Sequence, residues 1–161
     1  MTNWMAVPET TFAWERHRQP RQSIPTRPQP AKEAPKGHGE TVLVVEDEVS
    51  ILLLARKLLE NLGYAVLMAS SPLEAESLAK EHSGGIHLLL TDVVMPGING
   101  RDLAERLKEH YPSLRVLFMS GYTADVIAHR GVLDSGLNFI QKPFSRLELA
   151  LKVREAITGD Q

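Results

Sequence analysis

The sequence predicts an α/β fold, a parallel sheet with helices on both faces. Three observations predict it. From residue 41 onward, short apolar runs alternate strictly with helical patterns. The runs are apolar throughout, as strands covered on both faces should be. Cap and turn residues stand at the joints between the two patterns. Five strands and five helices are expected, with right-handed crossovers.

The elements follow in order. Thr41–Glu46 is a short β-branched run and reads as a buried strand. Ile51, Leu54, Ala55, Leu58, Leu59 and Leu62 then keep helical spacing, and Gly63 stops that helix. Tyr64–Ala69 is the second strand. Ser71-Pro72-Leu73-Glu74 resembles a capping box with proline at the first helical position, opening a helix to about His82. Ile86–Thr91 is the third strand. Asn99 can cap a helix carrying Leu103, Ala104 and Leu107, which ends before Pro112. Leu114–Met119 is the fourth strand, and a less regular helix covers about Thr123 to Arg130. Leu137–Gln141 is the fifth strand. Ser145-Arg146-Leu147-Glu148 is a second capping box, starting a helix with Leu147, Ala150, Leu151, Val153 and Ile157. Two strand orders fit this pattern. The flavodoxin-like, doubly wound order 2-1-3-4-5 is one of them, and pattern alone does not choose.

Residues 1–40 differ from 41–161. Six of the ten prolines lie before residue 40, and Arg16–Lys36 has almost no aliphatic residue beyond Ile24. Such a segment cannot bury enough apolar surface to offset chain entropy, so a disordered, Pro-rich tail or linker is expected. The first fourteen residues hold Trp4, Met5, Val7, Phe12 and Trp14. A solvated tail or the remnant of a neighbouring domain is expected there ahead of a docking peptide.

Composition narrows the function classes. Hydrophobic residues make up 43% and charged residues 24% of 161, as in a water-soluble globular protein. Cysteine is absent, which excludes disulfides, thiolate metal sites and a cysteine nucleophile and fits a reducing cytosol. No apolar run approaches the roughly 18 residues that span a bilayer. Trp4, Pro8, Glu9 and Glu15 break any signal-peptide stretch, so a cytoplasmic protein without a membrane partner is expected. The net charge is −2; 12 basic and 16 acidic residues in 41–161 leave that part near −4. Direct DNA binding is not expected.

In open α/β sheets, ligands bind beyond the carboxyl ends of the strands. The first strand ends in Glu46-Asp47-Glu48, the third in Thr91-Asp92, the fourth in Ser120-Gly121 and the fifth in Lys142-Pro143. Each has an ordinary reading: acidic helix cap, turn aspartate, turn serine, solvated lysine. Their coincidence at four strand ends is harder to dismiss. Clustered carboxylates repel, by ~1 kcal/mol at 4 Å in water and ~4 kcal/mol at a surface-like dielectric. A divalent cation removes that penalty, and hard oxygen ligands without His or Cys favour Mg2+ or Mn2+. A carboxylate can serve as nucleophile toward a phosphoryl group, an ammonium can pair with its oxygens and a hydroxyl can donate to them. The rim therefore carries a phosphoryl-transfer set.

Four segments resemble the response-regulator receiver family of two-component signalling: Val44–Glu48, Leu90–Gly100, Phe118–Tyr122 and Gln141–Phe144. The resemblance covers about 41–158. It implies the chemotaxis-receiver-like order 2-1-3-4-5 and makes Asp92 the phosphoacceptor. It implies that Asp47 ligates the metal directly, Glu46 directly or through water, with Asp92 and the Val94 carbonyl completing the protein ligands. Ser120 and Lys142 would hold phosphoryl oxygens, and the Lys142–Pro143 bond is expected to be cis. Phe139 falls where the family has its switch aromatic; a core position on the fifth strand is the equal alternative. Glutamate at 46 replaces the commoner aspartate. The implied donor is a phosphohistidine on a histidine kinase or histidine phosphotransfer protein. The implied readout is a protein target at the face of the fourth helix, fifth strand and fifth helix. The chain is then a regulatory phosphoacceptor in a phosphorelay rather than an enzyme.

Rival readings are a degenerate receiver acting only by protein contact, a phosphatase-like hydrolase, and a nucleotide-binding module. The hydrolase lacks an Asp-x-Asp pair at the first strand, and acid occupies the place where a nucleotide module needs a Gly-rich loop. The end of the chain at Gln161 leaves no room for an output domain, so a single-domain regulator or the C-terminal receiver of a hybrid histidine kinase is expected. Both tryptophans lie in the tail. Tryptophan emission of the whole chain should therefore barely change on adding Mg2+; a large quench would contradict this assignment.

Overall fold

The computed structural model describes residues 33–123, 126 and 136–159. Five strands, β1 (Thr41–Val45), β2 (Ala65–Ala69), β3 (Leu88–Asp92), β4 (Arg115–Ser120) and β5 (Phe139–Gln141), form one parallel sheet. Their order is β2-β1-β3-β4-β5, the one the resemblance implies. The described helices are α1 (Val49–Asn61), α2 (Pro72–Glu81), α3 (Gly100–His110) and α4 (Arg146–Thr158). The helix expected over about Thr123 to Arg130 falls almost wholly outside the described residues, as does the chain up to residue 32. No helix among the described residues is long and apolar enough to cross a membrane.

Alternation along each strand divides the core in two. Val42, Val44, Leu88, Leu90, Leu117 and Met119 point to one face and pack with Leu52, Ala55 and Leu59 of α1 and Leu149, Ala150 and Val153 of α4. Leu43, Val45, Leu89 and Phe118 point to the other, against Ala75 and Ala79 of α2 and Leu103, Ala104 and Leu107 of α3. Continuous apolar runs in β1, β3 and β4 are therefore required by two covered faces. The edge strands β2 and β5 are partly exposed.

Local signals set the helix starts. Asn99 caps α3 by accepting the Asp102 N–H at 2.8 Å. Ser145 and Glu148 form the expected reciprocal capping box on α4. The box expected on α2 differs. Ser71 accepts the Glu74 N–H at 3.2 Å, but Glu74 Oε2 accepts from the Ser70 N–H and hydroxyl, at 2.7 and 2.8 Å. The phase of α1 also differs. Ile51 and Leu54, expected on its core face, lie half-buried and 48% exposed, whereas Leu52 is buried. Four consecutive apolar residues, Ile51 to Leu54, exceed one helical stripe, so periodicity could not fix the phase.

The chain makes contacts before β1. Ala34 packs against the α1–α4 side of the core, and the Gly37 N–H donates to the Leu62 carbonyl at 2.7 Å.

Leu89 is fully buried in the middle of β3. Leu89→Ala should cost about 3 kcal/mol through lost transfer energy and the cavity left behind. Leu73→Ala, at a side chain 74% exposed, should cost under about 0.5 kcal/mol. Urea unfolding of both variants measures the difference, and similar costs would contradict this burial pattern.

Candidate functional site

Parallel strands end on one rim, so every strand delivers its last residue to the same place. Immediately beyond β1 stand Glu46 and Asp47; β3 ends in Asp92 and β4 in Ser120; Lys142 follows β5. Carboxylate oxygens of Glu46, Asp47 and Asp92 lie within 4.8 Å of one another. The Lys142 ammonium sits between two of them, its Nζ 2.9 Å from Glu46 Oε2 and 2.9 Å from Asp92 Oδ2. The reading of Lys142 as a solvated loop residue fails, because its side chain is only 15% exposed. The reading of Glu46-Asp47 as a helix cap fails as well. The N-cap of α1 is Glu48, whose side chain makes no cap bond and accepts from the Ser50 hydroxyl instead.

Backbone bonds hold these side chains in place. Sheet-like bonding runs one residue past the strands, from Glu46 N–H to the Ala69 carbonyl at 3.2 Å and from Val93 N–H to the Met119 carbonyl at 3.0 Å. Lys142 N–H donates to the Ser120 carbonyl at 2.7 Å, fixing the root of the lysine against β4. The Lys142–Pro143 bond is cis, as expected. The Asp92 main chain is seated from two sides. The buried Thr91 hydroxyl donates to the Asp92 carbonyl at 3.0 Å. A Cβ at Gly100 would collide with that same carbonyl, so α3 can begin here only with glycine.

The two oxygens of Asp92 have separate partners. Oδ2 faces Lys142, while Oδ1 accepts the Val94 N–H at 3.3 Å. Asp92 is thus a turn aspartate and a member of the charged cluster at once. Ser120 is similar, being buried, with its hydroxyl oxygen accepting the Tyr122 N–H at 3.0 Å. Phe139 is half-buried on β5 and packs with the α2–α3 side of the core.

Burial dominates the electrostatics. Glu46 is 1% exposed. Burial pushes its carboxyl above the usual range, and the Lys142 and Glu48 N–H hydrogen bonds do not fully offset it. Burial works against the Lys142 ammonium too, but hydrogen bonds from it to Asp92 and Glu46 outweigh that and raise its pKa.

The rim opens into a cleft of about 610 Å3, lined in part by Ser120, Lys142 and the three carboxylates. Ile51, Leu54, Tyr122 and Phe144 add an apolar part to its wall. That apolar part was missed by the sequence reading; its signal was the surplus of apolar residues in Ile51–Leu54. The donor set of Glu46, Asp47 and Asp92 fits a hard divalent cation, since all are carboxylate oxygens with no imidazole or thiolate among them.

The raised Glu46 sets a pH dependence. A carboxyl whose folded pKa exceeds its unfolded value stabilises most below the unfolded value, and that stability is lost as pH rises through the folded one. In metal-free buffer, stability should fall on raising the pH from its ordinary 4.5 upward. Glu46→Gln should make that fall shallower. Urea midpoints across the range test this, and an unchanged slope in the variant would count against the buried carboxyl.

Comparison with known proteins shows the family of the chain. Residues 42–154 match the response regulator receiver domain family. Over 117 residues the chain is 36% identical to sensor kinase CckA of Brucella abortus, covering 73% of this chain and 12% of that protein. It is 30% identical over 120 residues to the DNA-binding transcriptional regulator NtrC of Azospirillum brasilense, covering 74% and 24%. The chain thus spans a quarter or less of the length of these two curated relatives. The crystal structure of the receiver domain from hybrid histidine kinase CckA aligns with a TM-score of 0.61 at 35% identity, covering 73% of this chain and 98% of that one. A receiver domain protein from Clostridium thermocellum aligns at 0.62 with 28% identity, covering 74% and 95%. The chain therefore belongs to the response regulator receiver domain family, the regulatory domains of two-component systems that interact with histidine kinases or phosphotransfer proteins.

Proposed function

We propose that Asp92 is the phosphoacceptor and takes its phosphoryl group from a phosphohistidine on a histidine kinase or phosphotransfer protein. The observation that carries this is the Lys142 ammonium 2.9 Å from the Asp92 carboxylate, on a rim shared with two further acids and a buried serine. Glu46, Asp47, Asp92 and the Val94 carbonyl would hold Mg2+, or Mn2+ in its place. When bound, the cation supplies neutralisation of the carboxylates and of charge on the transferring group.

The chain's own residues do the rest. An Asp92 carboxylate oxygen forms a bond to phosphorus as the donor's N–P bond breaks. The imidazole keeps that electron pair and takes up a proton. Thr91 and Gly100 keep the Asp92 main chain from recoiling. Lys142 turns from the carboxylates to a phosphoryl oxygen as charge develops there. The Ser120 oxygen already accepts a backbone N–H, which leaves its proton to donate to another phosphoryl oxygen. As Ser120 moves, Phe139 turns inward. The downstream partner then reads the β5–α4 face together with the segment over Thr123–Arg130. A groove of about 350 Å3 on that face, lined by Phe139, Pro143 and Leu151, suits an apolar side chain of such a partner. The Pro-rich stretch within residues 1–40 serves as a tail or linker, and the cysteine-free composition suits the cytoplasm.

Incubation with Mg2+ and acetyl phosphate should add one phosphoryl group by intact mass, and Asp92→Asn should abolish the gain. An equal gain in the variant would sink the assignment of Asp92. No gain in wild type under conditions where Mg2+ binds would favour a receiver that works by contact alone.

A further inference from the structure

β1 is bracketed by two glutamates, and both pair with the same neighbouring stretch of chain. At the site end, Glu46 meets Lys142. At the opposite end, Glu40 meets Arg154 of α4, with Oε1 2.6 Å from Nη1. Lys142 and Arg154 belong to the continuous run from the end of β5 through α4. The far pair is sheltered, with side-chain exposures of 15% and 27%, and it joins residues 114 apart in sequence. Burial alone would raise the Glu40 carboxyl, but the His38 N–H and the Arg154 guanidinium outweigh it and lower its pKa to about 2. Glu40 is therefore held toward its charged form beside Arg154.

Residues 37–40 form a strap across the turn from α1 to β2. Gly37 N–H donates to the Leu62 carbonyl at 2.7 Å, Gly39 N–H to the Gly63 carbonyl at 3.1 Å, and the Glu40 carbonyl accepts the Ala65 N–H at 3.0 Å. A Cβ on Gly37 would stand 2.6 Å from the Tyr64 ring, so the backbone must lie directly on that ring. The ring itself is buried. The strap thus touches both α4, through Arg154, and the residues that lead into β1. None of it enters the chemistry at Asp92.

We infer that this strap reports the state of the site: phosphorylation of Asp92 is passed through Lys142 and α4 to residues 37–40, and so to the chain that precedes them. The inference rests on Asp92 being the phosphoacceptor. Before transfer, β1 is tied to the β5–α4 stretch at both ends. A phosphoryl group draws the Lys142 ammonium away from Glu46, which releases the tie at the site end and leaves Glu40–Arg154 as the remaining one. The Glu40–Arg154 pair joins α4 to the strap, so a change in how α4 is seated reaches residues 37–40. By linkage, a pull on the strap must in turn bias phosphorylation.

The test is amide hydrogen exchange at Gly37 and Gly39 by NMR on the full chain, with Mg2+, before and after acetyl phosphate. Intact mass follows the phosphoryl group in the same samples. In wild type, both amides should exchange at least threefold faster once the phosphoryl group is present. In Arg154→Gln they should exchange faster from the start and respond no further, and Glu40→Gln should match it. Arg56→Gln, which breaks an exposed pair with Glu60 on α1, should keep the wild-type response. Unchanged exchange in wild type carrying the phosphoryl group overturns the inference alone, as does a full response in both strap variants. Absence of the mass gain overturns the acceptor assignment and this inference with it.

Discussion

The structure turns on one ammonium placed between two carboxylates. Glu46 has essentially no contact with solvent, and a carboxylate in that position costs several kcal/mol unless it is paired and hydrogen-bonded. Lys142 is its ionic partner, and the Glu48 N–H supplies a further bond to the other oxygen. The same lysine reaches Asp92, so a single side chain after β5 joins the ends of β1 and β3. Strand order makes this possible. β1 and β3 are neighbours, and β4 and β5 complete the same side, so Lys142 approaches the pair along the rim.

The hydrophobic layers explain why the charges collect there. Each central strand is apolar on both faces to its end, then turns polar within one residue, as at Val45–Glu46 and Met119–Ser120. In a parallel sheet all such transitions fall on one edge. The core therefore pushes every polar strand end into the same cleft, and close packing prevents those ends from drifting apart. Gly100 completes the arrangement by letting α3 start against the Asp92 carbonyl, which gives the carboxylate a rigid base.

The fold was largely legible because its signals are local. Strand runs, the Asn99 cap and the Ser145 box each act within a few residues, and each appears close to its expected place. The site residues were legible as strand-end residues and through their likeness to the receiver family. What could not be read is pairing across distance. Lys142 with Glu46 spans 96 positions and Glu40 with Arg154 spans 114. Both depend on a strand order that the apolar pattern left open. Ambiguity also arose where the signal was in excess, as in Ile51–Leu54, or duplicated, as in Ser70-Ser71, where either serine could meet Glu74.

A lysine has three N–H donors but one charge. In the structure two carboxylates share that charge, which offsets part of the cost of burying Glu46 beside Asp92. A phosphoryl group on Asp92 would change the competition. It carries about two negative charges and three acceptor oxygens, whereas the carboxyl, now part of an acyl phosphate, loses its own charge. The ammonium follows the larger charge, and Glu46 is left to find a cation or a proton. Glu46 belongs to the carboxylate cluster that would hold a divalent cation, so that cation is what would let Lys142 leave it.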